Sequence, residues 1–288
     1  MSEITSSSRL REDPREDSQE AAAEAAGAAE AASAEAVSPA EVPAAAEAAA
    51  GKTMKKKYII FDFDGTLCNT NNIIIDSWQA VFEHYLGRRL PQREIEATFG
   101  EVLAHTISEK LPDAPLQEVV DYYRAFQNEH QEGKVYVFDG IRKLLAELRE
   151  RGYIIGVGTS RTTYSFWNYM KQFGLESSVD EVVTMNDVKS HKPDPETIYA
   201  LLARMAGSEC TGEGAASEDP GQYSIPEEVL QAAIMIGDTK YDVGCANNAG
   251  VDSVLVGWSH YVDEEDMSAC GFEPTYFISS PEELLEIV

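Results

Sequence analysis

Four short apolar runs, each followed by residues able to do chemistry, constrain this chain more than any other feature. Tyr58-Ile59-Ile60-Phe61 ends at Asp62, Tyr153 to Val157 ends at Gly158-Thr159-Ser160, Glu181 to Met185 precedes His191-Lys192, and Ala232 to Ile236 ends at Gly237-Asp238. Runs of that length bounded by turn residues read as strands buried on both faces. Helical patterns separate them: about Asn72 to Leu86, Val119 to His130, and Ile141 to Arg151 with Leu144, Leu145 and Leu148 on one face. Phe166 to Phe173 stops at Gly174, Glu196 to Met205 follows, and a last helix ends near Gly250. Asp252 to Val256 and Thr275 to Ile278 complete the strands. This alternation predicts an α/β fold, a doubly wound, Rossmann-like parallel sheet. The stretch between the first two strands is too long for a simple crossover, so residues 69–135 are expected to form a separate α-helical lobe. Residues 54–68 and 136–288 are then the core, with a surface loop at 206–223.

Residues 1–53 read differently. They are acidic and rich in Ala, and no aromatic residue precedes Tyr58. Such a segment cannot bury enough surface to offset its ordering entropy and is expected to be a disordered tail. It has neither the basic start and apolar stretch of a secretory signal nor the basic character of a transit peptide. Met54, followed by Lys55-Lys56-Lys57, looks like a natural start. Gly51-Lys52-Thr53 imitates the end of a nucleotide-binding P-loop, but Ala46 stands where that loop needs its first Gly. The formal charge of the 288-residue chain is −27. That balance argues against nucleic acid and anionic membranes as partners, and no run approaches the ~18–20 apolar residues that span a bilayer. No partner is assigned to the tail. Four scattered Cys and no CxxC pair point to reduced thiols in a cytoplasmic protein and away from zinc.

The polar clusters fall at the carboxyl ends of the expected strands, where open α/β sheets bind ligands. They are Asp62-Phe63-Asp64-Gly65-Thr66-Leu67, Thr159-Ser160, His191-Lys192-Pro193-Asp194-Pro195 and Gly237-Asp238-Thr239-Lys240-Tyr241-Asp242. Taken singly, each has a plain reading as a helix cap or a solvated charge. Taken in this order, they resemble the four motifs of the haloacid dehalogenase superfamily of phosphohydrolases. The likeness spans about residues 56–288. It is greatest to the phosphoglycolate phosphatase and bacterial pyrophosphatase branch, through Asn69-Thr70-Asn71, Glu83-His84-Tyr85, Val182-Val183-Thr184, Asn248-Ala249-Gly250 and Gly257-Trp258. The helical lobe is similar to that family's small cap.

The resemblance implies a Mg²⁺-dependent phosphatase acting on a small phosphorylated metabolite. Asp62 would be the nucleophile that forms an aspartyl-phosphate, and Asp64 the general acid and base, with its backbone carbonyl on the metal. Asp238 would ligate Mg²⁺, and Asp242 would ligate or orient. Lys192, Thr159 and Ser160 would hold the phosphoryl oxygens. Phe99-Gly100-Glu101 resembles the cap's substrate-facing loop. Glu101 there is awkward for a small dianion such as pyrophosphate or phosphoglycolate, unless it points to solvent. Arg161 is a candidate contact to cap or phosphate, whereas Arg88, Arg89 and Arg93 read as a solvated helix end. The competing readings are an inorganic pyrophosphatase or a sugar-phosphate mutase on the same scaffold and, from another class, a non-catalytic phosphometabolite-binding protein.

Overall fold

The structure, a computed structural model, describes residues 55–207, 223–259, 267 and 269–288. The expected tail 1–53, Met54 and residues 208–222 of the expected loop lie outside them. The chain enters at β1 (Tyr58–Phe61) and passes through β2 (Cys68–Asn69) into four helices, α1 (Asn71–Leu86), α2 (Gln92–Glu96), α3 (Leu103–Lys110) and α4 (Leu116–His130). It returns through β3 (Tyr136–Val137), then runs α5 (Ile141–Glu150), β4 (Ile154–Gly158), α6 (Thr163–Phe173), β5 (Glu181–Val183) and α7 (Glu196–Ala206). The last part is α8 (Glu227–Gln231), β6 (Ala233–Gly237), α9 (Lys240–Ala249), β7 (Asp252–Val256), β8 (Tyr276–Ile278) and α10 (Leu284–Ile287).

Six strands form one parallel sheet in the order β5-β4-β1-β6-β7-β8. β1 lies at the middle, where the winding reverses, with Tyr58 paired to Ile154 on one side and to Ala233 on the other. Its continuous apolar run is explained by burial on both faces. Ile59 and Phe61 join a core with the α5 residues Leu144, Leu145 and Leu148, while Tyr58 and Ile60 pack on Ile198, Leu201 and Leu202 of α7. The inserted helices have a core of their own around Trp78, Phe82, Ile107, Val119 and Tyr123.

The third strand is shorter than the apolar pattern predicts. It stops at Val183 because Asp187 accepts hydrogen bonds from the Thr184 N–H and hydroxyl, 2.8 and 2.6 Å, and winds Met185–Asp187 into a single 3-10 turn. The antiparallel pair β2–β3, where the chain leaves and re-enters the core, is two residues long and too short to show any period. Among the described residues, no helix is long and apolar enough to cross a membrane.

Candidate active site

β1, β4 and β6 are neighbours, so Asp62, Thr159 and Asp238 emerge side by side at the carboxyl edge of the sheet. Immediately after Asp62 the chain folds into a tight turn, with the Phe63 carbonyl accepting from the N–H groups of Leu67 and Cys68. Gly65 sits in this turn at φ 72°, and a Cβ there would lie 1.9 Å from Asp238 Oδ2. Only glycine supplies both the left-handed backbone and the space. Gly65→Ala is therefore expected to lose at least ~1–2 kcal/mol from backbone strain alone and to displace Asp238. A thermal melt as stable as wild type would contradict this.

Asp62 Oδ1 accepts a hydrogen bond from Lys192 Nζ at 2.6 Å, and the same ammonium donates to Asp242 Oδ1 at 2.7 Å. Lys192 is carried on the loop before α7. That loop is fastened by Glu196, which accepts from the Lys189 and Ser190 N–H groups, and by Asn248, which donates to the Pro193 carbonyl. Asp242 caps α9 with its other oxygen, accepting from the Thr239 N–H and hydroxyl at 3.1 and 2.7 Å.

Asp238, 3% exposed, accepts from Ser259 Oγ at 2.5 Å and, more weakly, from Thr66 Oγ1 at 3.5 Å. Ser259 is oriented in turn by Asn71 Nδ2 at 3.0 Å. Among the described residues, no cation is bonded to Asp238. Burial, then repulsion from Asp242 and Asp62, holds its carboxyl well above the usual carboxylate range. Burial likewise pushes Asp62 up to about 7; Lys192 opposes the rise, while Asp242 and Asp64 add to it. Burial also works against the Lys192 ammonium, but Asp242 and Asp62 more than offset it and raise its pKa.

Carboxylate oxygens of Asp62, Asp238 and Asp242 lie within 4.8 Å of one another, all three side chains buried. One ammonium, bonded to two of these three buried carboxylates, leaves an excess of negative charge that is costly in a desolvated site. An all-oxygen donor set with that excess fits a hard divalent cation.

Asp64 is held otherwise. Arg161 reaches it through Nε, at 3.0 and 2.7 Å to the two oxygens, and through Nη2 at 2.6 Å, while the Thr70 hydroxyl donates at 2.5 Å. Arg161 also donates to Ser165 Oγ at 2.8 Å and lies 4.7 Å from the centre of the Tyr169 ring. Its ion-pair partner is thus Asp64. Thr159 is buried, with its N–H on the Val183 carbonyl and its hydroxyl accepting from the Arg161 N–H. The Ser160 hydroxyl donates to the Gly100 carbonyl at 2.9 Å. Glu101 accepts from Tyr241 Oη at 2.6 Å and Thr106 Oγ1 at 2.7 Å. The Gly100-Glu101 loop is therefore seated on the loop that follows β4 and on the first turn of α9. A cavity of about 310 Å³ opens over Asp62, Asp64, Asp238, Ser160, Glu101 and Arg161. Thr159, Lys192 and Asp242 stand behind that wall, and Arg88, Arg89 and Arg93 are exposed elsewhere.

Ser259 and Tyr241 were not singled out by the sequence. A lone Ser beyond Gly257-Trp258 carries no pattern, and Tyr241 reads as one more helix residue between the two acids. Only their reach to Asp238 and Glu101 reveals them.

A sequence model described as haloacid dehalogenase-like hydrolase matches residues 59–256, which include every carboxylate of this cluster and Lys192. The pyrophosphatase PpaX of Bacillus velezensis is 31% identical over 229 residues, covering 80% of this chain and 94% of that protein. PpaX of Bacillus mycoides is 28% identical over 239 residues, covering 82% and 98%. Among solved structures, a haloacid dehalogenase-like family hydrolase from Streptococcus pneumoniae superposes with a TM-score of 0.61 at 21% identity, over 81% of this chain and 98% of that one. A protein described as a predicted phosphoglycolate phosphatase from Haemophilus somnus gives 0.62 at 16% identity, over 82% and 99%. At such identities the solved structures bear on the fold alone, but the family match and the PpaX relatives extend across the site. By that combination the chain belongs to the haloacid dehalogenase-like hydrolase family, as an enzyme of its phosphatase type.

Proposed function

We propose that this protein is a Mg²⁺-dependent phosphatase that hydrolyses a small phosphorylated metabolite through an aspartyl-phosphate. The observation that carries the reading is the Asp62 carboxylate. It is bonded to Lys192, grouped with Asp238 and Asp242, and set on the floor of a cavity at the carboxyl edge of the sheet. Asp62 attacks phosphorus, and the bond to the ester oxygen breaks. Asp64 gives that oxygen a proton and then takes one from the water that releases phosphate from Asp62. Asp64 Oδ2, which among the described residues accepts only from Arg161 Nε, keeps a lone pair for that proton, while Oδ1 is taken up by Arg161 and Thr70. Lys192 holds Asp62 in place and spreads positive charge toward the phosphoryl group, and the Ser160 N–H donates to a phosphoryl oxygen.

Asp62 and Asp238 would hold Mg²⁺ together with the Asp64 carbonyl. Asp242, both of whose oxygens are engaged, would support them from behind. When bound, the cation offsets the repulsion between a phosphate dianion and these carboxylates. We take residues 69–135 as the cap that chooses the substrate over a core of 54–68 and 136–288. The free thiols of Cys68, Cys245 and Cys270 suit a cytoplasmic setting. The names of the PpaX relatives favour a second reading, in which the substrate is pyrophosphate.

Phosphate release from a metabolite panel that includes pyrophosphate and phosphoglycolate, with Mg²⁺ and then with EDTA, tests the proposal. Turnover should vanish with EDTA. Asp238→Asn should weaken Mg²⁺ binding by at least ~10-fold in calorimetry, beyond the low end of what outer-shell partners contribute. Turnover that is unchanged in EDTA, or Mg²⁺ binding that is unchanged in the variant, would overturn the reading.

A further inference from the structure

The cavity over Asp62 is larger than a second phosphoryl group or a two-carbon acid requires, and its volume of about 310 Å³ falls at the edge of the range used for drug-sized ligands, ~300–1,000 Å³. Beyond the carboxylates its walls are aromatic. Trp78, Phe99, Tyr123, Tyr164 and Tyr169 all line it, and the Trp78 and Tyr123 rings lie 5.1 Å apart. Gln127 of α4 lines it too and is only 8% exposed. One end of that amide donates to the Tyr123 hydroxyl at 3.1 Å, and the other has no partner among the described residues. A buried amide half-satisfied in this way calls for a ligand group that can complete it. Nearer the mouth, Asn128 of α4 and Gln131 just after it line the cavity, as do Asn168 and Gln172 of α6.

The charges on the wall decide what kind of leaving group fits. Four carboxylates, Asp62, Asp64, Glu101 and Asp238, face two guanidinium groups, Arg124 and Arg161, and Arg161 is already engaged by Asp64. A divalent cation would bring this count to neutrality. The phosphoryl dianion then meets no surplus of positive charge, and a second anionic group on the leaving side would meet Glu101 as well.

Resting on the phosphatase reading above, we propose that the substrate is a nucleoside 5′-monophosphate. Its ribose and base are uncharged, its flat ring offers two faces to the tyrosines, and its polar edge offers the paired donors and acceptors that amide side chains match. The bond from phosphorus to the nucleoside oxygen breaks as the bond to Asp62 forms, and water then displaces Asp62 to give nucleoside and inorganic phosphate.

The test is kcat/KM with Mg²⁺ for 5′-AMP and 5′-UMP against pyrophosphate, phosphoglycolate and glucose 6-phosphate. At least one nucleotide should exceed all three by ~10-fold or more, the discrimination that differing pocket contacts supply. Gln127→Ala and Tyr164→Ala should each lower the ratio of nucleotide to glucose 6-phosphate efficiency by ~5–10-fold, chiefly through KM. Tyr164 is 40% exposed, so its variant reads out even if Gln127→Ala unfolds. Pyrophosphate, phosphoglycolate or glucose 6-phosphate hydrolysed as efficiently as the better nucleotide, or a ratio unmoved by Tyr164→Ala, would overturn this proposal. If that hydrolysis still needs Asp62 and Mg²⁺, the phosphatase reading survives. If no ester and no pyrophosphate releases phosphate, both fall.

Discussion

Replacing Asp62 with Asn is expected to reduce phosphate release by at least ~10³-fold, as for an essential catalytic group, while leaving the protein folded. The amide has the size and shape of the carboxylate but no charge with which to attack phosphorus. Packing should survive because the side chain is buried between partners that remain, and Lys192 keeps its bond to Asp242. Losing one of three clustered carboxylates also relieves repulsion on Asp238 and Asp242. The melting temperature should accordingly lie within ~4 °C of wild type, about 1–2 kcal/mol for a domain of this size. Activity within about tenfold of wild type, far above the loss of an essential group, would remove Asp62 from its role. A collapse of stability would mean that the activity loss says nothing about chemistry.

Lys192→Met should do the reverse and act first on stability. Among the described residues, the ammonium is the one cation bonded to the buried carboxylates Asp62 and Asp242. Removing one partner of a buried ion pair leaves uncompensated charge and typically costs ~3–5 kcal/mol. At ~2–4 °C per kcal/mol that corresponds to a melting temperature lower by on the order of 10 °C. Methionine fills much of the same volume, so the loss isolates charge from packing. The measurement is denaturant unfolding in EDTA, repeated with Mg²⁺, which should restore part of the difference by supplying positive charge to the same carboxylate cluster. A loss below about 1 kcal/mol, the level of a surface pair, would show that Asp62 and Asp242 do not depend on Lys192.

Much of this site was legible because the chemistry is tied to strand ends. Once Tyr58–Phe61, the run before Thr159 and the run before Asp238 are read as neighbouring parallel strands, Asp62, Thr159 and Asp238 must emerge at one edge. The position of Lys192 was not readable in the same way. It arrives on an irregular loop whose course is set by Glu196 and Asn248, residues that serve the backbone rather than any pattern. The pairing of Arg161 with Asp64 was also out of reach, since nothing in the spacing says which of several acids a nearby guanidinium will choose. The small helices α2 and α3 were missed because five- and eight-residue segments show little more than two turns of periodicity. Their packing against α1 and α4, rather than local propensity, makes them helices.

The two halves of the cavity are encoded very differently. The groups around the phosphoryl position are scattered along the chain, from Asp62 through Ser160 to Asp238, and they meet only because the sheet brings them together. Much of the wall facing the leaving group, by contrast, comes from one uninterrupted stretch, between Ile74 on α1 and Gln131 just after α4. That stretch leaves and re-enters the core through the two-residue ribbon β2–β3. If this wall chooses the substrate, as proposed above, inherited variation confined to these helices would reshape what the enzyme accepts while every residue at the sheet edge stays as it is. On the reading proposed above, a swap of this segment between relatives should shift selectivity without carrying the reaction, and the α6 residues Tyr164 and Tyr169 would complete the wall.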